Sequence, residues 1–234
     1  MHFRPAVRDS LHAQGQAGQR NCVQHVRRLH MPEPNEIFFA EHHIGPLQVW
    51  WTSHPARLSG EPTARPLLES WFHLPPGALP LRRDMRGKPR LEGALQHHDV
   101  SWSHSGDALL LATGPEVEVG ADIERLRPRP RALELATRFF TQAETDALQA
   151  LPEGDRHLAF LRLWCAKEAV LKAHGHGISF GLQRLEFAPL GADTALQLIA
   201  CDPQLGAPND WMLHQWQPHP QYLAAVAWRA RPAG

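Results

Sequence analysis

The chain has 234 residues, 24 Lys and Arg against 24 Asp and Glu, and zero formal net charge with histidine neutral. That length suits one large domain or two small ones with a real core. The charge balance gives no footprint for general nucleic-acid binding, so any basic site has to be local.

In chain order, residues 1–36 are polar, glycine-containing and without periodicity, and PEPN at 32–35 breaks whatever precedes it. They are expected to form a poorly ordered leader, with Met31 a candidate natural start. LQVWW at 47–51 reads as a strand and ARPLLESWFHL at 64–74 as a short amphipathic helix. LRRDMRGKPRL at 81–91 holds Arg82, Arg83, Arg86, Lys88 and Arg90, the one dense basic patch. It is either a solvated hairpin rim or a place for an anion. VSWSHS at 100–105 alternates as a strand, and ALLLAT at 108–113 returns beside it as a buried one. No apolar run approaches the about 18 residues of a membrane span.

EVEVGADIE at 116–124 alternates cleanly, with Asp122 and Glu124 on one side of a strand end after Gly120. This is either an acidic, solvated face or a pair of oxygen ligands for a hard cation such as Mg²⁺. Two helices follow, ALELATRFF at 132–140 and TQAETDALQAL, the second opened by a Thr141 and Glu144 capping box.

DRHLAFLRLWCAKEAVLKAHG at 155–175 reads as one long helix, with Asp155 as N-cap and Gly175 as its stop. It is apolar almost all round, which predicts burial. Glu168 and Lys172 nevertheless share one face. They are either a weak i,i+4 pair or a carboxylate and an ammonium aimed into a site. Segments 178–187, 195–200, 211–217 and 222–228 then read as strands of a second antiparallel sheet against that helix. The whole is an α+β arrangement of two coarse halves with a seam near 114–118. Cys22, Cys165 and Cys201 imply no disulfide framework, and the 16 histidines lack zinc-ligand spacing. With no secretory segment, a cytoplasmic protein is expected.

Four pieces stand in order: RGKP at 86–89, SHS at 103–105, VGADIE at 119–124 and WCAKEAVLK at 164–172. Together they resemble the Sfp-type 4′-phosphopantetheinyl transferase family, in its W/KEA form, and RFFTQAE at 138–144 resembles the stretch between the two signature halves. The resemblance implies two similar α+β halves related by a pseudo-twofold, residues 37–116 and 117–231, with coenzyme A in the cleft between them. It implies Mg²⁺-dependent transfer of the 4′-phosphopantetheine arm to a serine of an acyl, peptidyl or aryl carrier protein, releasing 3′,5′-ADP. By motif, Asp122, Glu124 and Glu168 would hold Mg²⁺, and Lys88, Pro89, Ser103 and His104 would contact coenzyme A. Glu168 and Lys172 would be catalytic, the lysine acting on the leaving phosphate. Residues 51–81 carry only Arg57 and Arg65 where the family has a basic segment, and Arg82, Arg83 and Arg86 are the available substitutes.

Two other functions share some of these residues. A metal-dependent phosphodiesterase could use the carboxylates but would not need SHS or GKP. A non-catalytic coenzyme A or carrier-binding relative would not need Glu168 and Lys172. The expected protein is a monomer with no nucleic-acid or membrane partner.

Overall fold

The structure is a computed structural model that describes residues 39–191 and 194–232. The expected leader at 1–36 lies outside the described residues. β1 (Phe39–Ile44) and β2 (Leu47–Ser53) form a hairpin across Gly45-Pro46. α1 (Glu61–Trp71) starts three residues earlier than expected. Pro62 sits in its first turn, where the missing N–H has no helical partner to lose.

β3 (Leu81–Arg83) and β4 (Pro89–Leu91) are a short hairpin. The Asp84 carboxylate accepts the backbone N–H groups of Arg86 and Lys88 at 2.9 and 3.0 Å, which closes the RGK turn. β5 (His98–Ser105) and β6 (Ala108–Pro115) pair across Gly106-Asp107. These six strands form one antiparallel sheet in the order β1-β2-β6-β5-β4-β3.

β7 (Val117–Arg125) leaves that sheet and pairs with β11 (Tyr222–Ala230), which pairs with β10 (Met212–His219). The period of two along each strand explains the layers. Trp50, Leu109 and Leu111 face α1, while Val49, Trp51, Leu110 and Ala112 face Val119, Ala121 and Ile123 of β7. On the far side of the smaller sheet, Leu223, Ala225 and Ala227 meet α4 (Glu153–His174). The order is therefore helix, six-stranded sheet, three-stranded sheet, helices. No described helix is long and apolar enough to cross a membrane.

α2 (Ala132–Phe139) and α3 (Gln142–Ala150) flank α4, and Thr141 and Glu144 make the expected capping box. α4 begins at Glu153 without a side-chain cap and stops at Gly175, φ +84°, a left-handed C-cap.

The four-stranded second sheet does not form. Residues 178–184 are two 3₁₀ turns, and β8 (Leu185–Ala188) pairs only with β9 (Gln197–Cys201) in a separate ribbon. Two causes are visible. Gly177 and Gly181 take positive φ and break the extended run. Lys167 then draws the Leu182 and Leu185 carbonyls onto α4, and Glu144 accepts the Phe187 N–H at 2.9 Å. The segment is tied to helices, and β7 becomes the third strand of the sheet instead.

Candidate active site

The two sheets meet where the serine face of β5 lies along the free edge of β7. An edge strand leaves N–H groups that need acceptors. Here side chains supply them at matched spacing. Val119 N–H donates to Asp99 Oδ2 at 2.8 Å, Ala121 N–H to Ser101 Oγ at 3.0 Å, and Arg125 N–H to Ser105 Oγ at 3.1 Å. Ser103 departs from the pattern: its Oγ donates to Asp122 Oδ1 at 2.9 Å and accepts from Lys172 Nζ at 2.9 Å.

α4 crosses β7 closely enough to put its charges at this point. A Cβ on Gly120 would lie 1.8 Å from the Ala169 carbonyl oxygen, so only glycine lets the helix approach. Asp122 is buried, and its Oδ1 takes Lys172 Nζ at 2.6 Å. The i,i+4 surface-pair alternative does not describe the helix, because Lys172 reaches Asp122 and Glu168 is buried. Glu124 Oε2 accepts from Arg129 Nη2 at 2.7 Å and from Ser105 Oγ at 3.3 Å.

The electrostatics follow from burial. Glu168 is pushed up to about 7, first by burial and then by the Asp122 charge, with Lys172 pulling the other way. Burial and Asp122 also raise Glu124, against Arg129 and Ser105. Burial pulls the Lys172 ammonium down, but the Asp122 charge and hydrogen bond and the Glu168 charge outweigh it, so its net shift is upward.

Hard oxygen donors of this kind suit Mg²⁺. Two buried oxygens, Asp122 Oδ2 and Glu168 Oε1, have no hydrogen-bond partner, which fits a cation between them. Among the described residues no three His, Cys, Asp or Glu side chains are gathered as an ion site. Lys172 is paired with Asp122 and Arg129 with Glu124.

Beside the carboxylates lies a cavity of about 210 Å³ lined by Arg83, Arg86, Lys88, Pro89, Trp102 and Lys172, among others. Arg83 and Arg86 give it a cationic rim, suited to a phosphorylated ligand. Arg82 is turned to the exposed Glu92 at 2.6 Å and does not line it. Ser103 and His104 face opposite sides of β5. His104 is exposed and packs on His54, ring centroids 4.8 Å apart, and its imidazole is lowered by burial, His54 and Lys172.

The Lys88 ammonium is turned into the protein. It has three protons and three internal acceptors: Asp99 Oδ2 at 2.6 Å, the Val119 carbonyl at 3.2 Å and the Ala173 carbonyl. None remains for a phosphate. Burial pulls this lysine down, with Asp99 opposing. Lys88 is a staple joining β4, β5, β7 and the end of α4. Lys88→Met should therefore lower stability by about 3 kcal/mol in urea unfolding, because the buried Asp99 keeps only the longer ion pair to Arg90 at 3.4 Å. A variant as stable as the parent but with a raised KM for a phosphorylated substrate would restore the phosphate contact.

Three residues were not legible as parts of this region. Lys167, inside the WCAKEAVLK run, is fully buried and pairs with Glu144 at 2.7 Å. It fixes the back of α4 while Glu168 faces forward. His54 is buried and bonds Thr63 and Leu58. Arg129 sits five residues past Glu124, and the alternation of Arg with Pro at 127–131 is the signal that marks it.

Two buried carboxylates, Asp122 and Glu168, the partly buried Glu124, an ammonium on Asp122 and an arginine-rimmed cavity lie together at this seam. Residues 118–227 match the model of the 4′-phosphopantetheinyl transferase superfamily. The chain is 31% identical over 183 residues to the 4′-phosphopantetheinyl transferase HetI of a Nostoc species, covering 77% of this chain and 73% of HetI. It is 35% identical over 153 residues to slr0495 of a Synechocystis species, a protein named provisionally for the same transfer, covering 61% of this chain and 59% of that one. It is also 30% identical over 182 residues to the L-aminoadipate-semialdehyde dehydrogenase-phosphopantetheinyl transferase of Rattus norvegicus, covering 70% and 59%. The chain belongs to the 4′-phosphopantetheinyl transferase superfamily.

Proposed function

We propose that the protein transfers the 4′-phosphopantetheine arm of coenzyme A to a serine of an apo acyl, peptidyl or aryl carrier protein, releasing 3′,5′-ADP. The observation that carries this is the meeting of Asp122, Glu168, Lys172 and Ser103 at one seam beside the arginine-rimmed cavity. The reading of two halves, 37–116 and 117–231, is supported by the six-stranded sheet lying within 39–115 and the carboxylates following it. A monomer acting in the cytoplasm is the form proposed.

In this reading Arg83 and Arg86 hold the phosphates of coenzyme A. The carrier serine Oγ attacks the phosphorus next to the pantetheine arm, and the pyrophosphate P–O bond on the nucleotide side breaks. The Glu168 carboxylate takes the serine proton. Lys172 places positive charge on the leaving phosphate. Asp122 Oδ2, Glu124 and Glu168 Oε1 would hold Mg²⁺, which supplies charge neutralisation on the pyrophosphate.

Mass spectrometry of a panel of apo carrier domains, with coenzyme A and Mg²⁺, tests this. The expected result is one phosphopantetheine on one serine, abolished by EDTA. Unmodified carriers with active control enzymes would remove the transferase reading, and coenzyme A binding without transfer would favour a non-catalytic relative.

A further inference from the structure

We propose that Arg129 is a displaceable counter-ion on Glu124, and that it makes divalent-ion binding depend on the phosphorylated substrate. This rests on the metal reading above and goes beyond it to a residue outside the motifs.

A half-buried carboxylate needs a positive partner or donors. Glu124 has Arg129 Nη2 at 2.7 Å on the same oxygen that Ser105 holds at 3.3 Å. The parallel with its neighbour is close: Asp122 carries Lys172 at 2.6 Å. Both β7 carboxylates are thus occupied by cations of the chain itself, while Glu168 Oε1 has no partner. Three carboxylates against two cations leave the centre short of one positive charge. A divalent ion that used all three would have to approach both cations, and each repels it at short range.

Arg129 is placed to leave. Pro128 and Pro130 on either side fix their own φ and remove two backbone donors, so the strap at 126–131 is stiff. The guanidinium is the part that can swing. Its side chain is 30% exposed, and the strap lines an open cavity of about 560 Å³ with Ser105, Gly106 and Glu124. Turning out into that space breaks one ion pair and displaces no core residue. A pyrophosphate arriving beside Asp122 offers the planar fork a better match than a single carboxylate oxygen, because bidentate phosphate pairs are strong. Glu124 is then free for the ion at the moment the substrate is present. The consequence is ordered occupancy: weak Mg²⁺ binding by the free protein, tighter binding with substrate.

The test is calorimetric titration of Mg²⁺ into the full chain, with and without coenzyme A, for the parent, Arg129→Gln and Arg129→Lys. No turnover is needed. Arg129→Gln keeps a donor on a shorter side chain but removes the charge. It should tighten Mg²⁺ binding by the free protein about 10-fold by removing a like charge, and shrink the gain that coenzyme A brings. Arg129→Lys keeps the charge but not the fork, so it should bind Mg²⁺ as weakly as the parent when free and gain less from coenzyme A. Thermal melts show that all three are folded. Equal or weaker Mg²⁺ binding by folded Arg129→Gln would overturn the proposal and leave Arg129 as a residue that orients Glu124. A parent that binds Mg²⁺ neither alone nor with coenzyme A would overturn the metal reading and this proposal together. A parent that binds Mg²⁺ equally with and without coenzyme A overturns ordered occupancy alone.

Discussion

Glu168→Gln should lose transfer by about 10² to 10⁴-fold, the scale of general-base loss, and should melt at a higher temperature than the parent at pH 8. The two effects have one cause. The Glu168 carboxyl is pushed up to about 7 from 4.5, first by burial and then by Asp122. A carboxyl whose folded pKa is above its unfolded value binds protons more tightly in the folded state. Its contribution to stability is complete below about pH 4.5 and is lost as pH rises through about 7. At pH 8 without divalent ions, the parent therefore holds an ionised, buried carboxylate whose Oε1 has no donor. Glutamine has no charge to desolvate there. The gain should be on the order of 1–3 kcal/mol at pH 8, or roughly 2–4 °C for each kcal/mol. It should vanish near pH 4, where both side chains are neutral. Melts at pH 4 and pH 8 in EDTA, together with transfer rates, decide it. Full activity with a lower melting temperature at both pH values would make Glu168 a structural residue.

Among the described glycines, Gly120→Ala is expected to be the most damaging substitution. Its Cβ would lie 1.8 Å from the Ala169 carbonyl oxygen and 2.5 Å from the Ala173 nitrogen. Both are backbone atoms of α4, so no rotamer change relieves the overlap. Sheet and helix have to part. Overpacking of this kind costs about 1–3 kcal/mol when side chains can give way, and more when they cannot. A loss on the order of 3 kcal/mol or more is expected in urea unfolding. The damage also reaches the site, because the same approach sets Lys172 Nζ 2.6 Å from Asp122. Transfer should be lost even in cool buffer where the variant stays folded. A variant with parental stability and activity would show that α4 does not rest on β7 at this glycine.

Much of the fold was legible because local periodicity reports which face of an element is buried. Alternation over 116–124 marks β7, and the unbroken apolar run at 108–113 marks β6 as the central buried strand. The Thr141 capping box and the Gly175 stop are local chemistry and need no tertiary partner. Order and spacing of the RGKP, SHS, VGADIE and WCAKEAVLK pieces carried the family.

What only the tertiary structure decided is the partner of each charge. Lys88, Lys167 and Lys172 are alike in sequence, yet they meet Asp99, Glu144 and Asp122. The first two are buried staples, and the third stands at the candidate site. Periodicity can say that a lysine faces inward, but not which distant acceptor the packing brings to it, and for a buried charge that acceptor determines its role. The same limit misassigned residues 178–184, where strand-forming residues gave way to two 3₁₀ turns as Lys167 drew the Leu182 carbonyl onto the helix. Gly120 shows both sides. Its place in the motif was plain, while its reason, a helix backbone lying against the strand, exists only once α4 and β7 are packed together.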